Sequence, residues 1–362
     1  MRDNLLIANA RRIVVKFGTG ILTCSNNHID PDQIRNLAAQ VAAAHQQNRE
    51  VILVSSGAVG AGMGSLGFKT RPTRLGDLQA CAALGQVRLM HAWSEAFRTH
   101  DINIAQVLLT HEDLKHKDRH LNARNTLESL LANRAVPIIN ENDAVSFTEL
   151  QFGDNDKLSA LVACLLPADL LVILTSAEGL IRNFGTPDEE RLSVVDKIND
   201  SIRNLGQGTT AATAKGGMIT KIQAAEIVTR SGIPMVIAPG RSHHSLPSIL
   251  KSEDTGTLFI PAPGKLKSRK RWIAFYHNPS ARVVVDSGAE KALRKEGKSL
   301  LAPGIRSVEG TFSKGDVIRI CDGDGKEFAR GLACMDHTQA GQKPDTAARK
   351  PIVVHRDDLV LL

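Results

Sequence analysis

Two clusters of acids and amides stand close together in mid-chain: Asn140, Glu141, Asn142 and Asp143, then Asp154, Asn155 and Asp156. Both lie in residues 139–163, INENDAVSFTELQFGDNDKLSALVA, and each abuts strongly hydrophobic sequence, 136–139 before the first and 158–166 after the second. Such groups are costly to bury unless a polar or cationic ligand satisfies them. At element ends they read as a polar pocket at a helix start, with a solvated surface loop as the plainer alternative. Two lysines stand beside glycines. Lys16 comes just before Gly18-Thr19-Gly20, and Lys221 follows Gly216-Gly217 by about one helical turn. Backbone N–H groups at such glycines can approach phosphate oxygens, and a helix N-terminus favours an anion. A lysine at each end of a migrating group suits phosphoryl transfer, where charge must be stabilised and little covalent chemistry is required. Singly, each lysine reads as surface and each glycine pair as a turn. Together with the acids they favour an enzyme.

These residues need elements that bring them to one place. Residues 12–17 (RIVVKF) read as a strand running into a glycine turn, and Asp30-Pro31 as an N-cap with proline at the first helical position. Residues 50–55 (EVILVS) read as a strand buried on both faces, opening into Ser56-Gly57-Ala58-Val59-Gly60. Helices are expected over 75–100, 121–133 and 218–229, and further strands over 102–109, 135–140, 169–175 and 234–238. Strands alternating with helices imply an α/β fold with a parallel sheet covered on both faces. In such sheets ligands bind at the carboxyl edge of the strands. After residue 259 the pattern changes. Pro261, Pro263, Gly264 and the basic run KLKSRKR mark a linker, and RVVVD, DVIRI, a turn at 322–325 and PIVVH read as a small all-β module. The expected division is 1–260, a basic linker at 261–273, and 274–362.

Composition narrows the class. With 362 residues and 42% hydrophobic content the chain can bury a sizeable core and hold more than one domain. Aromatics at 4% argue against base stacking as the main business. Cys24, Cys81, Cys164, Cys321 and Cys334 are scattered and never form C-x-x-C, which suggests reduced thiols in a cytoplasm and no zinc knuckle. No apolar run is long enough to cross a bilayer, and the first twelve residues lack a signal-peptide pattern, so a soluble cytoplasmic protein is expected. Charge is uneven: residues 1–260 balance, and the formal +7 belongs to 261–362, much of it to Lys265, Lys267, Arg269, Lys270 and Arg271. Such a run can contact nucleic acid, though it is more often a solvated face.

Several motifs are rejected on context. Gly62, Gly64 and Gly67 fit G-x-G-x-x-G but come well after the strand, inside an apparent helix. Gly297-Lys298-Ser299 has Ala292 where a P-loop needs glycine. His355-Arg356-Asp357 sits at the chain end with no D-F-G after it. The Asp322 run DGDGKE has Glu327 where a calcium loop needs glycine, so it reads as a hairpin turn. His111, His116 and His120 lie among Asp, Lys and Arg with no organised ligand spacing, and read as a solvated helix start. No metal-ligating residue is assigned.

The set VVKFGTG, LVSSGAVGAG, LNARNTL, INENDAV, FGDNDKLSA and AKGGMITK, followed by RKRW and a terminal VHRDD, resembles the amino acid kinase family, and within it the glutamate 5-kinases, in order and over nearly the whole chain. The resemblance implies a three-layer αβα sandwich with a mainly parallel sheet, plus a PUA module, an RNA-binding type of β-barrel. It implies transfer of the ATP γ-phosphoryl group, with Mg2+, to the γ-carboxylate of L-glutamate, giving γ-glutamyl phosphate for proline biosynthesis. Proline as feedback inhibitor and a homo-oligomer are implied as well. By position, Lys16 and Lys221 would neutralise the migrating group and Asp156 would hold the lysines. Ser56, Asp143, Asp154 and Asn155 would bind glutamate. Thr175 and Ser176, with Lys215, Gly216, Gly217, Met218, Ile219, Thr220 and Lys221, would border ATP. Ser176 stands where the family usually has Asp, and Ala214-Lys215 where it usually has Gly-Thr. A second reading, an RNA-associated protein working through the PUA module and KLKSRKR, is disfavoured by the low aromatic content and the nearly balanced module.

Overall fold

The computed structural model describes residues 4–24, 28–145, 155–206, 217–262, 266, 268–277, 279–342 and 351–362. Asp154, Lys215 and Gly216 therefore lie outside the described residues. The chain forms two compact units, Met1–Lys265 and Leu266–Leu362.

In the first unit the strands are β1 (Arg12–Phe17), β2 (Glu50–Val54), β3 (Ile104–Leu109), β4 (Val136–Glu141), β5 (Leu170–Thr175), β6 (Ile181–Arg182), β7 (Glu190–Arg191), β8 (Val194–Val195), β9 (Met235–Pro239) and β10 (Thr257–Phe259). Eight of them form one sheet in the order β3-β4-β2-β1-β5-β9-β10-β8, while β6 and β7 pair in a separate hairpin. Pairing is parallel from β3 through to β9, β10 runs antiparallel to β9, and β8 is parallel to β10. The carboxyl ends of β1, β2, β4, β5 and β9 consequently lie on one edge.

Strand alternation sends successive side chains to opposite layers. Ile13, Val15 and Phe17 pack with the helices Pro31–Gln46, Leu75–Arg98 and Ser245–Leu250 on one face. Trp93 is the anchor there, fully buried with its ring 5.2 Å from Phe17 and 5.9 Å from Phe97. Val14 and Lys16 point the other way, toward the layer in which the helix Asn155–Leu165 packs on β1 and β5 and the helix Met218–Arg230 packs beside it. The Asp30 cap is as expected, with Oδ1 accepting from the Gln33 N–H at 3.1 Å and Pro31 opening the helix.

The first glycine of the rejected G-x-G-x-x-G has a packing role. Gly62 lies in the helix Ala58–Met63, and a Cβ there would come within 1.9 Å of the Cys81 carbonyl oxygen. A Cβ on Gly85 would come within 1.7 Å of the Ala58 carbonyl oxygen, so the two helices touch backbone to backbone. Gly297, with φ 60°, ends the helix Ser287–Glu296 in the left-handed conformation, which explains the G-K-S run as a helix stop.

The second unit is a six-stranded sheet, β12-β16-β15-β14-β11-β13, from β11 (Arg282–Val285), β12 (Leu300–Leu301), β13 (Ile305–Glu309), β14 (Val317–Cys321), β15 (Glu327–Ala333) and β16 (Ile352–Leu361). All its pairings are antiparallel except β11 with β14. The Asp322 run is the β14–β15 hairpin turn, with Asp322 Oδ1 accepting from the Lys326 N–H at 2.9 Å and Gly325 at φ 79°. The basic run departs from expectation. Part of the stretch expected as linker, 261–273, is helical: Ser268–Phe275 packs on β15 and β16 through Ile273 and Ala274. Arg271, expected on a solvated face, is buried at 5% exposure, and Arg269 pairs with Asp358, its Nη2 donating at 2.8 Å. In the sequence the basic residues mask the apolar stretch from Trp272 to Phe275 that follows them.

Candidate active site

The centre of the site is Asp156, in the first turn of the helix Asn155–Leu165 and fully buried. Lys16 Nζ donates to its Oδ1 at 2.6 Å, and Lys221 Nζ to its Oδ2 at 3.0 Å. Both lysines are themselves more than nine-tenths buried, at 5% and 6% exposure. An isolated buried ammonium would be prohibitive. Here one carboxylate offsets two, and the triad carries a formal +1. Thr220 Oγ1 lies 2.9 Å from Asp156 Oδ2 and 2.8 Å from the Gly217 carbonyl oxygen, so the first turn of the second helix is pinned to the same carboxylate. Lys16 is delivered by the inner face of β1, and Lys221 by the fourth residue of Met218–Arg230, whose Gly217 N-cap provides no side-chain cap. The N–H groups of that first turn point where an anion is favoured.

Asn155, the neighbour of Asp156, faces β2 and β4. Its Nδ2 is 2.7 Å from the Ser55 carbonyl oxygen, 2.9 Å from Ser56 Oγ and 2.9 Å from Asn140 Oδ1. Asn140 in turn donates from Nδ2 to Gln86 Oε1 at 2.8 Å and accepts the Glu141 N–H at 2.9 Å. Trp93 Nε1 donates to Ser55 Oγ at 3.3 Å. With its two N–H groups engaged among these acceptors, the Asn155 amide has a fixed orientation.

The structure thus joins Lys16, Asp156, Thr220 and Lys221 in one bonded group, and Asn155 with Ser56 in another beside it. Asp143 stands two residues beyond β4, Thr175 ends β5 and Ser176 follows it exposed, so all three sit on the same carboxyl edge. Gly217, Met218 and Ile219 open the Lys221 helix; Asp154, Lys215 and Gly216 are not described. Gln86 and Trp93 join the site without having been expected there. A signal for them exists: Leu78, Cys81, Ala82, Gly85, Gln86, Leu89 and Trp93 form the buried stripe of their helix, and a glutamine in that stripe needs a polar partner.

Residues 11–239 match the amino acid kinase family, and residues 281–345 match the PUA domain. The first match spans more than half of the chain. The chain belongs to the amino acid kinase family. Within the family it is 42% identical to the glutamate 5-kinase of Geobacter sulfurreducens over 374 residues, covering 100% of both chains. It is 44% identical to that of Citrifermentans bemidjiense over 378 residues and 42% to that of Methylococcus capsulatus over 373, again covering 100% of each chain. Among solved structures, the first unit is similar in fold to a carbamate kinase from Giardia lamblia bound to AMP-PNP, with TM-score 0.51, 18% identity, and coverage of 70% of this chain and 100% of that one. A UMP kinase from Bacillus anthracis matches with TM-score 0.50 and 12% identity, covering 70% of this chain and 96% of that one. The fold is therefore the amino acid kinase sandwich with a PUA unit after it, and the chain is a phosphotransferase of the glutamate 5-kinase kind. Among the described residues no helix is long and apolar enough to cross a membrane.

Proposed function

We propose that this chain transfers the γ-phosphoryl group of ATP to the γ-carboxylate of L-glutamate, forming γ-glutamyl phosphate and ADP, the entry step of proline biosynthesis. The observation that carries the reading is the buried triad: two ammonium groups on one carboxylate, at the carboxyl edge of a parallel sheet. The nucleophile is a carboxylate, already ionised at neutral pH, so the reaction needs no general base. A carboxylate oxygen of glutamate bonds to the γ-phosphorus, the bond from that phosphorus to the bridging oxygen breaks, and its electron pair leaves with ADP. Charge on the migrating group is what needs help. Lys16 and Lys221 supply it, while Asp156 holds them in place and Thr220 ties the Lys221 helix to that carboxylate.

At the other end, Ser56 with Asp143 and Asp154 would grip glutamate, the acids taking its ammonium and the hydroxyl a carboxylate, while the Asn155 amide, its N–H groups engaged at Ser55, Ser56 and Asn140, would hold that hydroxyl in place and offer only its Oδ1 to the ammonium. Thr175, Ser176 and residues 215–221 would border ATP. The donor set does not resemble a dedicated magnesium cage, since Asp156 is taken by two lysines and a hydroxyl. Mg2+ would enter on the nucleotide phosphates, as is usual for this ion, and would offset their charge there. Proline inhibition at the glutamate end and a homo-oligomer rest on the family resemblance, a cytoplasmic location on the scattered cysteines and the lack of a signal-peptide pattern, and RNA contact on the PUA resemblance with the basic run KLKSRKR. The test is ADP release by the purified chain with ATP and L-glutamate against aspartate, acetylglutamate, carbamate and UMP. Release that depends on glutamate supports the reading, and release driven equally by another acceptor sinks it.

A further inference from the structure

At the opposite edge of the same sheet, where β1, β2, β4 and β5 begin, lies a cavity of about 700 Å³ that shares no residue with the site above. Its wall includes Arg11, Arg12, Arg49 and Arg134 with His45, and two carboxylates, Glu50 and Asp169. Ion pairing accounts for only part of this set. Arg12 is clamped by Glu50 at 2.6 Å and by both oxygens of Glu128 at 2.9 Å. Asp169 Oδ2 is occupied by the backbone N–H groups of Arg11 and Arg12, at 3.0 and 2.9 Å. Among the described residues, three guanidinium groups are left without a carboxylate. Arg49 donates to the Ala10 and Ala8 carbonyls, at 3.1 and 3.3 Å. Arg134 donates to Asn48 Oδ1 at 3.0 Å and to the His45 carbonyl at 3.3 Å. The exposed Arg11 contributes its backbone N–H to Asp169.

A guanidinium carries five N–H donors, so Arg49 and Arg134 each keep donors beyond those that brace the turns around them. Bracing a turn requires neither the remaining donors nor a cavity of this size. Burial lowers the Arg49 pKa with no counter-charge to oppose it. His45 is lowered too, first by burial and then by the Arg134 charge, against the pull of its bond to the Arg134 carbonyl. Both shifts mark a partly desolvated place that is short of negative charge. The volume falls in the range of metabolite sites, roughly 300–1,000 Å³, and guanidinium forks match phosphate or carboxylate oxygens two at a time. We propose that this cavity is a second ligand site, for a small polyanion carrying two or more phosphate or carboxylate groups, held by the half-buried Arg49 with the exposed Arg134 and Arg11 at the rim.

The test uses the full chain and two probes, pyrophosphate and citrate, titrated calorimetrically at ionic strength fixed with NaCl, alongside arginine modification by phenylglyoxal read peptide by peptide. The expected result is saturable binding of at least one probe, at least fivefold protection of Arg49 and Arg134, and no protection of the exposed Arg35 or Arg98. Arg49→Gln or Arg134→Gln should weaken that binding at least tenfold. The preferred probe tells which anion the site takes. The proposal is overturned if neither probe saturates, if protection is uniform over surface arginines, if it falls elsewhere, or if both substitutions leave binding unchanged. Protection on the wild-type chain keeps the test decisive should a substituted chain fail to fold.

Discussion

Replacing Asp156 by Asn keeps the shape of the side chain and removes one charge at a fully buried position. Two ammonium groups, now 2.6 and 3.0 Å from the two carboxylate oxygens, would then face each other without the negative charge that stands between them. At a separation on the order of 6 Å and an effective dielectric of about 20, two such charges repel by about 3 kcal/mol. An independent guide gives a similar figure, since breaking a buried pair by removing one partner costs roughly 3–5 kcal/mol. We therefore expect Asp156→Asn to lose about 3 kcal/mol of stability in urea unfolding. Turnover should fall at least about a hundredfold, because about 2.7 kcal/mol of transition-state stabilisation is two decades of rate. The control is the double substitution with Lys16→Met. If repulsion is the cause, removing one cation from the Asp156→Asn chain should return about 2 kcal/mol, a coupling that a merely local packing defect would not give. An Asp156→Asn chain within about 1 kcal/mol of wild type, with no recovery on adding Lys16→Met, would refute the electrostatic reasoning.

Other consequences follow from the surrounding structure. Gln86→Leu leaves the buried Asn140 Nδ2 without this acceptor, a cost of about 1–3 kcal/mol, and loosens Asn140, one of the three acceptors that hold the Asn155 amide; steady-state kinetics should show the glutamate KM rising roughly tenfold with kcat changed far less, and an equal fall in both kcat and kcat/KM would count against a positioning role. Gly85→Ala places a methyl 1.7 Å from the Ala58 carbonyl oxygen, and should lower stability by about 2 kcal/mol or more while disturbing the turn at Ser56; an unchanged melting temperature would be inconsistent with the packing described. Burial pushes the Asp113 carboxyl up, but the Thr110 hydroxyl and N–H and then Arg119 outweigh it, so its pKa is depressed below the ordinary carboxylate value. A depressed pKa contributes stability that is present above the unfolded value and lost as pH falls through the folded one. Thr110→Val should thus cost about 1 kcal/mol near pH 7, with the difference shrinking in unfolding experiments below about pH 4.

Much of the site is legible in the sequence because pattern and strand geometry agree. In RIVVKF the apolar run ends beside a lysine, and alternation alone decides that Lys16 shares a face with Val14 and not with Phe17. The acid at 156 is legible as a helix-start residue, yet its pairing with a lysine 140 positions earlier is a product of topology, which no local pattern encodes. Gln86 is hidden by its setting in an apolar stripe. The helix Lys117–Ala132 begins four residues before the expected start because its first turn, Lys117, Asp118, Arg119 and His120, is polar all round and shows no apolar period. Strands β8 and β10, of two and three residues, are too short to carry a period and exist by pairing at the sheet edge. The helix Ser268–Phe275 is masked by its charges, although Arg271 is buried and Ile273 and Ala274 anchor it.

In the proposed reaction two lysines, held by Asp156, carry a phosphoryl group onto the side-chain carboxylate of glutamate. Trapping the acyl phosphate with hydroxylamine, and identifying the product by mass spectrometry, tests it most directly. The expected result is γ-glutamyl hydroxamate formed only with ATP and L-glutamate, and its rate reduced at least about a hundredfold by Lys16→Ala or Lys221→Ala. Hydroxamate from another acceptor, or a near-normal rate with either lysine removed, would contradict it.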